Sequence, residues 1–216
     1  RKGGIFPIII STILILSVCL IVVLPIGLLT AIYLATTKDT SIVRRSVEIL
    51  SAVPSIVFGL FGNALFSIYL GLGFSILSGG LTLALMSLPL FITTVEKGVR
   101  AVPKRYHQVG ASLGMSYLTM IKFVILPYAL PSIIVGLVLS VGRSLAETAA
   151  LIFTSGYVDR MPESLFDSGR SLSVHIYDLS MNVPGGDLNA YKSSFVLVIL
   201  ILTTNTIVSS GLRAWQ

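Results

Sequence analysis

Long runs without a charged side chain divide the sequence into membrane-length blocks. Residues 3–37 and 49–95 contain no charged side chain, and residues 131–153 contain only two. A helix needs about 20 apolar residues to cross the hydrocarbon core, so the run 49–95 holds two spans, and the glycines within 71–80 predict the turn between them. The pattern predicts transmembrane helices at about residues 8–33, 52–70, 76–95, 131–153 and 193–212.

Composition places the chain in the class of all-α polytopic membrane proteins. It is 54% hydrophobic and 11% charged, with a mean hydropathy of +0.94, whereas a soluble domain carries about a quarter of its residues charged. A net charge of +6 is typical of basic membrane loops and need not indicate a nucleic-acid partner. Cys19 is the single cysteine, and His107 and His175 are far apart in sequence. We therefore expect no disulfide, no metal site and no cofactor.

Basic residues predict the orientation in the membrane. Segments 38–45 and 97–122 together with Arg213 hold nine Lys and Arg, and the loops on the other side hold five. The positive-inside bias then makes residues 96–126 a cytoplasmic loop and residues 154–192 an external one. The first residues would lie outside, which predicts one more helix ahead of them.

Arg143 and Glu147 interrupt the fourth predicted span near its middle. At positions i and i+4 of a helix they would share one face. A lone charge there costs at least about 2.5–3.5 kcal/mol, and intramembrane charges usually mark a substrate path or a proton relay. A guanidinium fork matches two phosphate oxygens, and a carboxylate can accept the O–H of monohydrogen phosphate. We predict that both residues line a substrate pathway; the alternative is an ion pair with a structural role.

Other polar and small residues within the spans are weaker candidates. Asn63 and residues 203–206 either line the pathway or form hydrogen bonds between helices, and we favour the second role. Gly59 and Gly62 are predicted to be positions of close helix packing.

The predicted cytoplasmic loop has the features of a helical hairpin. Pro103 suits the first turn of a helix, Gly114 supplies a stop, and Ser116 can cap a second helix that runs to Pro127. Apolar residues at helical spacing predict a partner groove or an interfacial hairpin that lies on the lipid. No G-x-x-x-x-G-K-[ST] loop is present. The sequence therefore carries no ATP-binding motif of this kind.

This loop resembles the EAA motif of ABC importer permeases. The motif's opening Glu-Ala-Ala falls on Gln108, Val109 and Gly110, its glycine on Gly114, and its closing Ile-x-Leu-Pro on residues 124–127. Gln108 replaces the family's glutamate. The resemblance implies a transport subunit without enzymatic activity, driven by a separate ATPase. It also implies that coupling to this ATPase involves Gln108, Val109, Gly110, Gly114, Val124, Leu126 and Pro127.

Ordered phrases along the chain resemble the PstA-type permease subunit of phosphate-specific importers, among them EILSAVPSIVFGLFG and GRSLAETAALIFTSG. The resemblance implies a MetI-like ABC permease core in a prokaryotic cell membrane that forms half of a phosphate pathway. It also implies three kinds of partner: a PstC-type permease, two ATPase subunits and an external phosphate-binding protein. Family members usually carry one more N-terminal helix.

Three alternative interpretations remain open at this point. The PstC-type sibling shares the loop and a similar Gly-Arg…Glu-Thr phrase, and sulfate or molybdate permeases share the loop alone. A protein of a different class, an ion-coupled secondary transporter or an anion channel, can also use a midplane arginine. That last class would transport by itself and would have no use for a docking loop.

Overall fold

The computed structural model describes residues 4–37 and 39–213, except for the side chains of residues 107, 111, 207–209 and 211–213. Within these residues the chain is helical, and no β-strand is present. The α-helices are α1 (Phe6–Thr36), α2 (Ser41–Ala52), α3 (Ser55–Gly62), α4 (Ile76–Arg100), α5 (Lys104–Ser112), α6 (Tyr117–Met120), α7 (Leu126–Ala146), α8 (Ala149–Ile152), α9 (Leu172–Met181) and α10 (Asp187–Arg213). Two π-helical segments, Asn63–Tyr69 and Ile121–Ile125, continue α3 and join α6 to α7.

In the described part of the chain, four helical stretches are long and apolar enough to cross a membrane: Phe6–Thr36, Ile76–Arg100, Tyr117–Ala146 and Asp187–Thr206. A fifth span results if Ser41–Ala52 and Ser55–Tyr69 are counted together, although the two are bent by 103°. The all-α polytopic class is therefore confirmed, and so is the prediction of five spans when the bent pair is one of them. The bent pair begins at Ser41, before residue 52, where the second span is predicted to start. The reason is that α2 packs against α4 in spite of its charges.

Close approaches between helices set the register of the bundle. A Cβ at Gly80 would meet the Val18 side chain and one at Gly27 would meet the Phe91 ring, so α1 and α4 run parallel. A Cβ at Gly98 would likewise meet Ser132, and Gly79 lies against Ser155, so the segment 132–155 runs antiparallel to α4. We call the two ends of the bundle the α5 end and the α9 end.

The fourth span differs from its prediction as one helix over 131–153. The helix starts at Tyr117, and residues 117–130 extend past the α5 end of α4. It stops at Ala146, although residues 132–155 run along nearly the whole of α4. The stop has no glycine or proline to signal it. Tertiary contact holds it instead, because the Ser173 hydroxyl donates to the Glu147 carbonyl at 2.6 Å.

Three further segments differ between the prediction and the structure. The turn is shorter than the glycine-containing region 71–80, because α4 starts at Ile76, where the third span is predicted to begin. The Ser75 side chain accepts from the Ser78 N–H there, and Gly79 lies inside α4. The loop predicted at 96–126 is mostly helical, since α4 continues to Arg100 and α5 and α6 follow. The loop predicted at 154–192 contains α9, and α10 begins at Asp187 after a turn at Gly185.

Candidate functional site

Arg143 lines a cavity at mid-depth in the bundle. The residue lies one turn before the end of α7, and its side chain faces a cavity of about 160 Å³. The other residues that line this cavity are Leu50, Ser51, Met86, Pro89, Leu90 and Thr93. Because Met86–Thr93 is the middle of α4, the guanidinium is placed about halfway between the two ends of the bundle.

Two interrupted spans meet beside this cavity. The second span is bent between α2 and α3 at Val53–Pro54. The fourth is interrupted between α7 and α8 at Glu147–Thr148. Their continuations pack together, since a Cβ at Gly59 would approach the Ala150 Cα. Many transporters form their substrate sites near the membrane midplane from discontinuous helices of this kind. Non-helical backbone is tolerated at that depth only where it is buried in protein or lines a cavity.

Glu147 does not share a helical face with Arg143, which corrects the i, i+4 prediction. Its backbone is extended, with φ −77° and ψ 125°, because α7 has ended at Ala146. Its Oε1 accepts a hydrogen bond from the Ala150 N–H at 3.3 Å, so the carboxylate stabilises the start of α8. Arg143 and Glu147, whose side chains are both described, form no ion pair with each other.

Small polar side chains that the sequence analysis missed hold α7 next to the cavity. The Ser144 hydroxyl lies 3.1 Å from the Ser87 hydroxyl on α4 and 3.8 Å from the Cys19 sulfur on α1. All three residues are buried. In the sequence, a serine directly after a candidate arginine gives little indication that it contacts other helices. Its position here fixes the rotation of α7 and therefore the direction in which Arg143 points.

The weaker candidates lie away from the Arg143 cavity. Gly62 packs against Thr82, and Gly59 packs against α8, in agreement with the prediction of close packing. Thr203 and Thr204 donate to carbonyl groups of their own helix. Thr204 and Asn205 line a different cavity, between α1, α7 and α10.

The segment Lys104–Met120 forms a helical hairpin, which we call the α5 hairpin. Gly114 ends α5 with φ +67°, and the Met115 N–H donates to the Gly110 carbonyl at 3.0 Å. The Ser116 hydroxyl accepts from the Thr119 N–H at 3.2 Å. The predicted stop and cap are thus confirmed. Exposed apolar side chains on and next to the hairpin leave a surface without a partner: Val109 (56% exposed), Leu113 (73%), Leu118 (77%) and Phe123 (63%).

The other motif residues divide between the α5 hairpin and the long helix that follows it. Gln108 and Val109 are exposed on α5, whereas Gly110 is buried against Met120. Val124, Leu126 and Pro127 belong to the continuous helical stretch Tyr117–Ala146 and not to a loop. The π-helical segment Ile121–Ile125 joins the α5 hairpin to α7 without a break.

Taken together, the interrupted spans around a cavity and the helical hairpin at one end define a membrane permease domain. Residues 23–216 match the family described as "Binding-protein-dependent transport system inner membrane component". The chain belongs to this family.

Similar proteins support the assignment. The chain is 32% identical to the "Probable ABC transporter permease protein YqgI" of Bacillus subtilis, over 94% of this chain and 76% of that protein. It is 30% identical to the "Phosphate transport system permease protein PstA 1" of Mycobacterium tuberculosis, over 94% of this chain and 68% of that protein. It is 31% identical to the "Phosphate transport system permease protein PstA 2" of Mycobacterium bovis, over 82% of this chain and 61% of that protein. The chain therefore spans roughly three-fifths to three-quarters of the length of these relatives.

A solved structure has the same fold. It belongs to the MetNI methionine ABC transporter in inward facing conformations, and the TM-score is 0.75 over 99% of this chain and 94% of that one. Sequence identity is 18%, so the likeness concerns the fold alone and supports the MetI-like prediction.

Proposed function

We propose that this chain is the PstA-type permease subunit of an ATP-driven importer of inorganic phosphate in a prokaryotic cell membrane, and that Arg143 binds the anion in transit. The observation that carries the proposal is an exposed arginine that lines an open mid-depth cavity beside two interrupted spans. The similarity to phosphate permeases named PstA supports the choice of substrate.

The chemistry of the cavity suits a tetrahedral oxyanion in passage. Arg143 presents a planar fork of donors that stays charged at any relevant pH. Around it are mostly apolar side chains and two hydroxyls, those of Ser51 and Thr93, which already donate to backbone carbonyls. One strong ligand in a sparse site favours release, which a transit site needs. Glu147 is proposed as the second pathway residue, and its carboxylate also accepts from the Ala150 N–H at the start of α8.

Energy for import comes from partner subunits in this proposal. The exposed apolar surface of the α5 hairpin docks one of two ATPase subunits, and Gln108 stands where the family's glutamate would contact it. A PstC-type permease completes the pathway, and an external binding protein delivers phosphate at the α9 end. The hairpin favours this arrangement over a secondary transporter or a channel, which would need no docking surface.

The test is uptake of labelled phosphate by cells that carry the complete transporter with Arg143→Gln, Arg143→Lys or Lys192→Gln. We expect Arg143→Gln to lower uptake about tenfold or more, because a hydrogen bond to a charged group contributes about 1.5–3 kcal/mol. Arg143→Lys restores part of it, since a point charge lacks the bidentate geometry. Lys192→Gln removes the same charge from an exposed site on α10 and leaves uptake unchanged.

Membrane abundance and co-purified ATPase are measured in parallel for each variant. Normal abundance together with normal uptake in Arg143→Gln would remove Arg143 from the pathway. Sulfate or molybdate competing as well as unlabelled phosphate would contradict the choice of substrate. Transport by the purified chain alone, without ATP, would favour the secondary-transporter class.

A further inference from the structure

A buried carboxylate lies outside the Arg143 cavity and has no part in the proposed transit chemistry. Glu96 is 5% exposed near the end of α4. Its Oε1 lies 2.6 Å from Nη2 of Arg44 on α2 and 2.8 Å from Nε of Arg100. Arg100 also donates through Nη2 to the Leu34 carbonyl on α1 at 2.6 Å. The cluster of Arg44, Glu96 and Arg100 therefore joins three helices at the α5 end of the bundle.

Helix α2 has few other attachments to the bundle. Val47 is its only buried residue, and all twelve residues of α2 are described. One end follows the non-helical residues 39 and 40, and the other reaches the 103° bend at Val53–Pro54. The position of α2 thus depends on Val47, on the partly buried Val43 that packs against the same core, and on the Arg44–Glu96 ion pair.

This helix is also a wall of the Arg143 cavity, through Leu50 and Ser51. Glu96, the partner of Arg44, lies on α4 one turn before Arg100, the last residue of that helix. Only residues 101–103 separate α4 from the α5 hairpin. The path from the hairpin to α2 therefore runs through the end of α4 and the Arg44–Glu96 ion pair.

We propose that Glu96 is a positioning residue that couples the α5 hairpin to the α2 wall of the Arg143 cavity. The inference rests on the proposed function, because it assigns a mechanical role within the same transporter. Two arginines share one carboxylate, so loss of Arg44 leaves Glu96 paired with Arg100. Arg44→Gln consequently removes the ion pair that holds α2, while Glu96 keeps Arg100 as a partner. A buried carboxylate without any partner would destabilise the whole fold.

The experiment measures phosphate imported per ATP hydrolysed by the complete transporter in proteoliposomes with its binding protein. We expect Arg44→Gln to lower this ratio at least about fivefold, the lower range of a coupling between two sites. ATPase subunits co-purify with it as with wild type. Arg44→Lys restores part of the ratio. A protein that is merely less stable loses abundance, whereas the ratio per ATP stays the same.

Arg45→Gln is the matched control. Arg45 is the adjacent arginine of the same helix, is exposed, and has no ion pair within the described part of the chain. Equal ratios in Arg44→Gln and Arg45→Gln, in a transporter that imports phosphate, would overturn this inference alone. A wild-type complex that imports no phosphate would instead contradict the proposed function.

Discussion

Arg170 connects two segments at the α9 end of the bundle. Its Nε donates to the Tyr157 carbonyl at 2.9 Å, and its Nη1 lies 3.1 Å from Asp178 Oδ2 and 3.3 Å from His175 Nδ1. A guanidinium can only donate, so His175 accepts through Nδ1 and is neutral. Burial and the neighbouring Arg170 charge lower the pKa of His175, against smaller opposing effects of Asp178 and Asp159.

This depressed pKa predicts a loss of stability in mild acid. Above the ordinary histidine pKa of 6.5, His175 is neutral in both folded and unfolded chains and contributes nothing to pH dependence. As the pH falls below that value the unfolded chain takes up a proton before the folded one does, so the folded state loses stability.

The measurement is the thermal midpoint of the purified protein between pH 8 and pH 5.5, for wild type and His175→Asn. We expect a smaller decrease in His175→Asn, because the residue that is protonated preferentially in the unfolded state is gone. Other groups titrate in both proteins and cancel in the comparison. Identical slopes would mean that His175 is not held neutral by Arg170.

Among the elements, the α5 hairpin depends most clearly on a single backbone conformation. Gly114 has φ +67°, which a β-branched residue adopts only at a cost of about 1–3 kcal/mol. Gly114→Val should therefore displace the two arms of the hairpin, lower ATPase co-purification and abolish uptake while the protein remains in the membrane. Gly114→Asn should retain most of both activities, because asparagine tolerates a left-handed backbone. An undiminished ATPase in the valine variant would contradict a docking role for the hairpin.

The α5 hairpin, the end of α7 and helix α2 show which structural features the local sequence determines and which it does not. Gly114 and Ser116 are capping residues whose preferences act over three or four positions, so the turn of the hairpin was predictable. The stop at Ala146 depends on Ser173, 27 residues further along, and no local pattern records that contact. The sequence pattern predicts no helix before about residue 52, because the partner that holds α2 through Arg44 is Glu96, 52 positions away. In the candidate site, the role of Arg143 in the pathway stays a prediction, and no local pattern indicates that the end of α7 separates Arg143 from Glu147.

For the whole molecule, the α9 end presents an exposed apolar surface. Residues 157–166 expose several apolar side chains, among them Met161 (47% exposed) and Phe166 (64%). The segment is ordered by Asp167, whose carboxylate accepts from the Glu163 and Ser164 N–H groups, which lowers the pKa of Asp167. The predicted orientation places this fixed apolar surface outside the cell, where it would fit the binding protein that the proposed function requires.

We expect the double variant Met161→Ser, Phe166→Ser to reduce the stimulation of ATP hydrolysis by phosphate-loaded binding protein, because apolar contact area is lost. Basal hydrolysis without the binding protein should not change. The control is Met181→Ser, a change of the same kind at a methionine that is 70% exposed on α9. Equal stimulation in the double variant and the control would exclude this surface as the contact.

The bend at Val53–Pro54 has a consequence for how the chain enters the bilayer during synthesis. After the bend, Ser55–Tyr69 has 15 residues, about 22 Å at the α-helical rise, which is shorter than the hydrocarbon thickness of about 30 Å. Such a segment is a poor substrate for insertion on its own. Its hydroxyl contact from Ser67 to Ser78, at 2.7 Å, and the tight turn at Gly71 and Gly73 join it to α4. We expect the translocon to release Ser55–Tyr69 and α4 into the lipid as one hairpin, with the turn formed before the pair leaves the channel.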